Sequence, residues 1–311
     1  MRYVVTMSLA IAFLFPGLVA STGLADNIRV VIILSQDAKP YQDLAMGFLT
    51  YTSAHSASAS FETYSLQGNA ANAAELFPAV KRNIPQLLLT IGTLATQTAL
   101  KELPDTPLVA GLVMDLDGLQ KSGNATGVGV EFPIDVQLQW LQRIVPGAGT
   151  IGVLYNPKEN RAKIEAAIKI ARGLGLKLVA REVEIPRALP DALESIAKDA
   201  DLLWGLSDQV VLSPQTAEPI LLFSLQHHLP VSGLTTSWTK AGALYSLDRD
   251  YSDLGAQCGE LGLKILQGAK PGELPPILPR KVVYSLNLKT ADHMRLDIPQ
   301  SIIEGAQSVF R

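Results

Sequence analysis

The sequence predicts an α/β protein: two doubly wound parallel-sheet lobes joined by a three-segment hinge. Three observations predict it. Short β-branched runs alternate with helical stretches, the pattern of βαβ units. The alternation comes as two successive series of similar length, before and after a polar loop at Asp115–Asn124. An extra strand and helix then follow Ala243, free to cross back to the first lobe. Crossings are expected near residues 122–128, 237–243 and 270–280. The first lobe is then 26–124 with 241–272, and the second 125–240 with 273–311.

The first strand, Ile28–Leu34, is almost continuously apolar, as suits a central parallel strand covered on both faces. A helix at Tyr41–Ser53 follows, then strands at Ser60–Ser65, Gln86–Ile91 and Leu108–Val113, separated by helices at Ala70–Arg82 and Leu94–Glu102. The second series opens with a helix at Ile134–Val145 whose Ile134, Leu138, Leu141 and Val145 share a face. After the strand Thr150–Leu154, Asn156 is a natural N-cap, Pro157 fits the first helical position and Glu159 completes a capping box. Strands at Leu176–Val183, Leu202–Leu206 and Pro230–Ser232 alternate with helices at Leu189–Lys198 and about Thr216–Gln226. Ala243–Leu247 reads as a strand. Asp250 caps a helix whose Leu254, Cys258, Leu261 and Ile265 form a buried stripe. A Pro-rich linker at Lys270–Pro279, a strand at Val282–Leu286 and two short helices end the chain.

The N-terminus reads as an export signal. Arg2 precedes an apolar run at 3–15, a Pro16–Gly17 break, and small residues that place Gly23 and Ala25 before a cleavage at Asp26, with Val19 and Ser21 offering a second register a few residues earlier. The apolar run is short of the roughly 20 residues a membrane anchor needs, and no cysteine is present there for lipid attachment. A periplasmic or secreted mature protein, residues 26–311, is expected. Cys258 is the only cysteine, so no internal disulfide forms. The net charge of −3 becomes −4 when Arg2 is removed, and no basic block offers nucleic acid a footprint.

In open α/β sheets ligands bind beyond the carboxyl ends of the strands, where helix N-termini offer free N–H groups. The residues at those positions are Ser35, Gln36 and Tyr41; Gly92 and Thr93; Asp115 and Asp117; Tyr155 and Asn156; Ser207 and Asp208; Thr235 to Trp238; and Asp248. Hydroxyls and N–H groups suit a carboxylate, acids an ammonium and aromatics an apolar part, together a small zwitterion. Thr93 and Asn156 are equally explained as helix caps, Asp115 as a solvated loop acid, and Tyr41 and Trp238 as packing. Asp208 interrupts a strongly apolar run and is read as the anchor for a positive group, since an acid there needs a partner. Its alternative role is to cap the turn toward Ser213. Trp140 and Trp204 are assigned to the core.

Catalytic and cofactor signatures are broken. Gly205–Gln209 resembles a nucleophile elbow around Ser207 without the second glycine. Gly127 and Gly129, or Gly173 and Gly175, lack the third glycine of a dinucleotide fingerprint. His227 and His228 are adjacent, so on a helix they point about 100° apart, unsuited to one metal. No catalysis, cofactor or metal is expected.

Ile91–Thr96, Gly123–Val128, Leu154–Pro157, Asp250–Gly255, Ile265–Pro271, Asn287–Ala291 and Ile298–Pro299, in that order, resemble the periplasmic substrate-binding proteins of ABC transporters, in particular their tryptophan/tyrosine-type branch. The resemblance runs from about Ile28 to Phe310. It implies a type I periplasmic-binding fold with three crossovers, closing as a monomer over a small amino-acid-like ligand for delivery to an ABC permease. Under it Thr93 matches the first-lobe ligand loop, Asp115 the acid after strand four, Asn156 the second-lobe helix start, and Asp208 an acid at a strand end. The loop Ser35–Pro40 departs from the pattern, as does Met114–Asp117 where an Asp-Pro pair is usual. A sensory receptor of the same fold and a secreted α/β hydrolase acting through Ser207 are the competing readings.

Overall fold

In the computed structural model, residues 28–55, 59–213 and 215–311 are described; the expected export signal lies outside them. Strand β1 (Ile28–Leu34) alternates its faces: Val30, Ile32 and Leu34 enter one core layer, Val31 and Ile33 the other. It is flanked by β2 (Ala59–Ser65) and β3 (Leu87–Ile91), and β4 (Leu108–Val113) and β5 (Ala125–Gly129) complete a parallel sheet of order β2-β1-β3-β4-β5. Helix α1 (Lys39–His55) covers one face, while α2 (Ala70–Arg82), α3 (Thr93–Glu102) and α4 (Leu116–Lys121) cover the other.

The second half comprises α5 (Ile134–Ile144), β6 (Thr150–Tyr155), α6 (Pro157–Gly173), β7 (Lys177–Glu182), α7 (Leu189–Ile196), β8 (Leu202–Leu203), α8 (Ala217–His227), β9 (Ser232–Gly233), α9 (Thr236–Ala241) and β10 (Tyr245–Arg249). Helix α10 (Tyr251–Leu266) follows, then β11 (Val282–Asn287), α11 (Leu288–His293), α12 (Gln300–Glu304) and β12 (Ser308–Phe310). The strands form two sheets, β7-β6-β8 and β9-β10-β11-β12, linked by a bridge between Leu203 and Val231. All pairings are parallel except β10 with β11. Two further core layers flank this half, one around Ile151, Val153 and Trp204, the other around Leu154, Leu203 and Ile220.

Helix α10 leaves the second half and packs on α1, its Leu254, Cys258, Leu261 and Ile265 buried with Leu44 and Phe48. The two helices meet through glycines. A Cβ on Gly255 would lie 2.1 Å from the Leu44 carbonyl, and one on Gly47 2.1 Å from that of Ser252.

Two crossings fall later than the sequence reading placed them. Residues 125–129, assigned to the second lobe, pair with β4 as a fifth strand of the first sheet, so the chain crosses at Val130–Pro133. Residues 245–249, assigned to the first lobe, pair with β9 and β11, so the chain returns at Arg249–Asp250. The third crossing follows Ile277, which still bridges Val128, and precedes Val282. Three local expectations also change: the loop at Asp115–Asn124 contains α4, Thr236–Ala241 is helical, and the strand expected at Leu202–Leu206 ends at Leu203. Among the described residues no helix is long and apolar enough to cross a membrane.

Candidate ligand-binding site

The strand ends of the first half are built around Gly92. Its φ of 89° is one that side chains rarely adopt, and a Cβ there would meet Tyr41 Cε1 at 2.7 Å and Ser35 Oγ at 2.8 Å. Ser35 Oγ accepts from Ala95 N at 2.9 Å, so the loop after β1 caps α3. Tyr41 packs behind this loop, against the core. Gln36 is exposed and stands apart, near Gly68. Thr93, Met114 and Asp115 line one shallow recess together with Thr96 and Val113. Asp115 Oδ1 accepts from Gly118 N at 2.8 Å, capping α4. Met114 is 66% exposed, an apolar side chain presented to this recess.

In the second half Asp208 is buried, and its carboxylate is fully engaged. Oδ2 accepts from Asn156 N at 2.6 Å and Asn160 Nδ2 at 3.1 Å. Oδ1 accepts from Val210 N at 2.7 Å and Val211 N at 2.8 Å. This is the geometry of the capping role: Asp208 ties the start of α6 to the turn leading to Ser213. Asn156 is the N-cap of α6, accepting from Lys158 N at 3.1 Å and donating to Glu159 Oε1 at 2.7 Å. Tyr155 turns into the core, donating to Glu182 Oε1 at 2.9 Å, and burial first, then Glu182, raises its pKa. Trp238 packs against the core layer around Ile220. Asp248 Oδ1 accepts from Arg249 N and from the Tyr251 hydroxyl. Burial, reinforced by the Asp248 charge, pushes that hydroxyl up to about 12.

A recess opens at the strand ends of the second half, beside the crossings. Its aromatic walls are Phe132, Trp204 and Tyr245; its polar lining includes Ser207, Ser232, Glu131 and Arg249. Trp204 Nε1 donates to Gln137 Oε1 at 3.1 Å, and Gln137 in turn donates to the Phe132 carbonyl, so the walls are mutually braced. Burial drives the Tyr245 phenol well above its ordinary range, so it stays a neutral hydrogen-bonding group. Glu131 pairs with Lys163 at 2.7 Å. Glu131 and Ser207 also line a larger groove reaching Met114, and Met114 lines the recess at Thr93 and Asp115. The three spaces therefore adjoin one another through shared lining residues. Of the residues named from the sequence, Thr93, Asp115, Ser207 and Asp208 line these spaces, and Gly92 is buried behind them. Tyr41, Tyr155 and Trp238 pack in or against the core, Asn156 caps α6, Asp248 lines a further groove that shares Arg249 with the recess, and Gln36 stands apart. The sequence reading passed over Glu131, Phe132, Tyr245 and Arg249. A charge at the end of a strand was the available signal for Arg249, which stands between two aspartates.

Among the described residues that line these spaces there is no histidine or cysteine. Among the described residues no group of three His, Cys, Asp or Glu side chains is placed to hold a metal. The profile of the ABC transporter substrate binding protein family matches residues 29–310. The chain belongs to that family. ABC transporter substrate-binding proteins bind solutes and are not enzymes. The tyrosine-binding protein of Clostridioides difficile is 26% identical over 211 residues, 65% of this chain and 60% of that protein, so the match spans about three-fifths of the relative's length. A ligand-free, open substrate-binding protein with adhesive properties from Clostridium difficile superposes with a TM-score of 0.75 at 19% identity, covering 91% of this chain and 99% of that one. A Streptococcus pneumoniae ABC domain in complex with L-Trp gives 0.60 at 21% identity, covering 91% and 100%. The fold is that of type I periplasmic-binding proteins.

Proposed function

We propose that the chain is an extracytoplasmic receptor that captures a small amino-acid-like solute, aromatic amino acids foremost, and hands it as a monomer to an ABC permease. The observation that carries this reading is the recess beside the crossings, where the rings of Phe132, Trp204 and Tyr245 stand among the hydroxyls of Ser207 and Ser232. Apolar walls with a few placed polar groups are what a ligand part apolar and part zwitterionic requires. The tyrosine-binding relative supports the same solute class. In this reading Thr93 and Asp115 meet the ligand from the first half, while Asp208 acts indirectly, by holding the loop that carries Ser207. An export signal at residues 1–25, removed before Asp26, brings the protein to its compartment, and sequencing the mature N-terminus checks that step. Native mass spectrometry of protein purified without denaturation tests the solute class. A retained mass equal to that of an aromatic amino acid is expected; a retained sugar or peptide contradicts the reading.

A further inference from the structure

We propose that Arg249 is the anchor for the ligand's carboxylate; this rests on the amino-acid reading above. Arg249 occupies the pivot of the molecule. It is the last residue of β10, where the chain makes its second crossing, and its backbone pairs with Val282, just past the third. Its Nε donates to the carbonyl of Val130, on the first crossing. One residue thus touches all three connections, and its guanidinium is held in place before any ligand arrives. The Phe132 ring, 5.3 Å from the guanidinium carbon, fixes its plane from one side.

The guanidinium has one loose ion pair, with Asp248, and no bidentate acid within the described residues. Glu131 and Arg249 are the charged residues lining the recess, and the Glu131 carboxylate is already matched by Lys163. The nearest acid to Arg249, Asp248, lies 3.6 Å from Nη1, beyond hydrogen-bond distance, and is occupied by Arg249 N and Tyr251. Nε donates to the Val130 carbonyl, and the guanidinium also stands beside the Tyr251 hydroxyl. The Arg249 side chain is 18% exposed, so most of it is covered while the guanidinium still reaches the recess. A carboxylate is the partner that takes two parallel N–H bonds from such a planar fork.

Calorimetric titration of the mature chain with L-tyrosine, L-tryptophan and their amides tests this, because the amides keep the ring and the ammonium and lose the carboxylate. The parent is expected to prefer each acid over its amide by about 30-fold or more, the loss typical of unpairing a desolvated charge. Arg249→Gln should weaken the acids by about that factor, change the amides by less than threefold, and so erase the preference. Arg249→Lys restores a charge without the fork and should recover part of it; this variant also serves if Arg249→Gln does not fold. Equal weakening of acid and amide reduces Arg249 to a tie between crossings and overturns the assignment while leaving the amino-acid reading intact. A parent that binds neither acid overturns both.

Discussion

A carboxylate that accepts four hydrogen bonds from its own chain has no lone pair free for a ligand, and Asp208 is in that state. Asp208→Asn keeps the shape but turns an NH2 group toward N–H donors. Ligand-free stability should fall by about 2–4 kcal/mol, read by urea unfolding, with affinity for the cognate ligand changed by less than threefold. A large loss of affinity with unchanged stability would instead make Asp208 an anchor. The sequence told that a lone acid in an apolar run needs a partner, but not which one, because Asn156 and Asn160 lie about 50 residues away. Glu62 shows the ordinary surface case. Hydrogen bonds from Arg29, then Tyr64, lower its carboxyl from 4.5 to about 2. The folded pKa is depressed, so its contribution is present above about pH 4.5 and lost as pH falls toward 2. With Glu62 39% exposed, solvent screens the pair, and Glu62→Gln should cost under about 1 kcal/mol at pH 7. That difference from the parent should narrow as unfolding is measured between pH 4.5 and 2; a constant difference would assign the effect to packing.

The helix pair α1 and α10 fastens the returning chain to the first half, and its closeness depends on having no side chain at Gly47 and Gly255. Gly255→Ala places a methyl group against the Leu44 carbonyl, a backbone atom that cannot turn aside. The expected loss is about 1–3 kcal/mol by the cost of overpacking, seen as a lower thermal midpoint; an unchanged midpoint would mean that the two helices separate freely. At this scale much was legible. Long periodic helices and β-branched strands were placed to within a few residues, because each buries a regular stripe. Strand β5 was not, since Ala125–Gly129 carries two glycines and little β-propensity, and only its place beside β4 makes it a strand. Helices α4 and α9 are six residues each, too short to show a period. Missing β5 shifted the first crossing, and assigning β10 by order rather than by pairing shifted the second.

At the scale of the molecule, two α/β halves are connected three times, and adjoining recesses lie beside the crossings, one with aromatic walls and one lined by the helix cap Asp115. The fold could be read from chain order and apolar pattern. The lining could not, because Glu131, Phe132 and Arg249 lie on crossings whose position depends on strand pairing. The central claim is that a small amino-acid-like solute binds the folded state in these recesses. Thermal melting of the mature chain with each of the twenty amino acids tests it most directly. At about a hundred times its dissociation constant, a ligand of the native state adds about 2.7 kcal/mol, on the order of 5–10 °C for a chain of this size. The account predicts a rise of that size with tyrosine or tryptophan and little with charged amino acids. No rise with any of the twenty would contradict it.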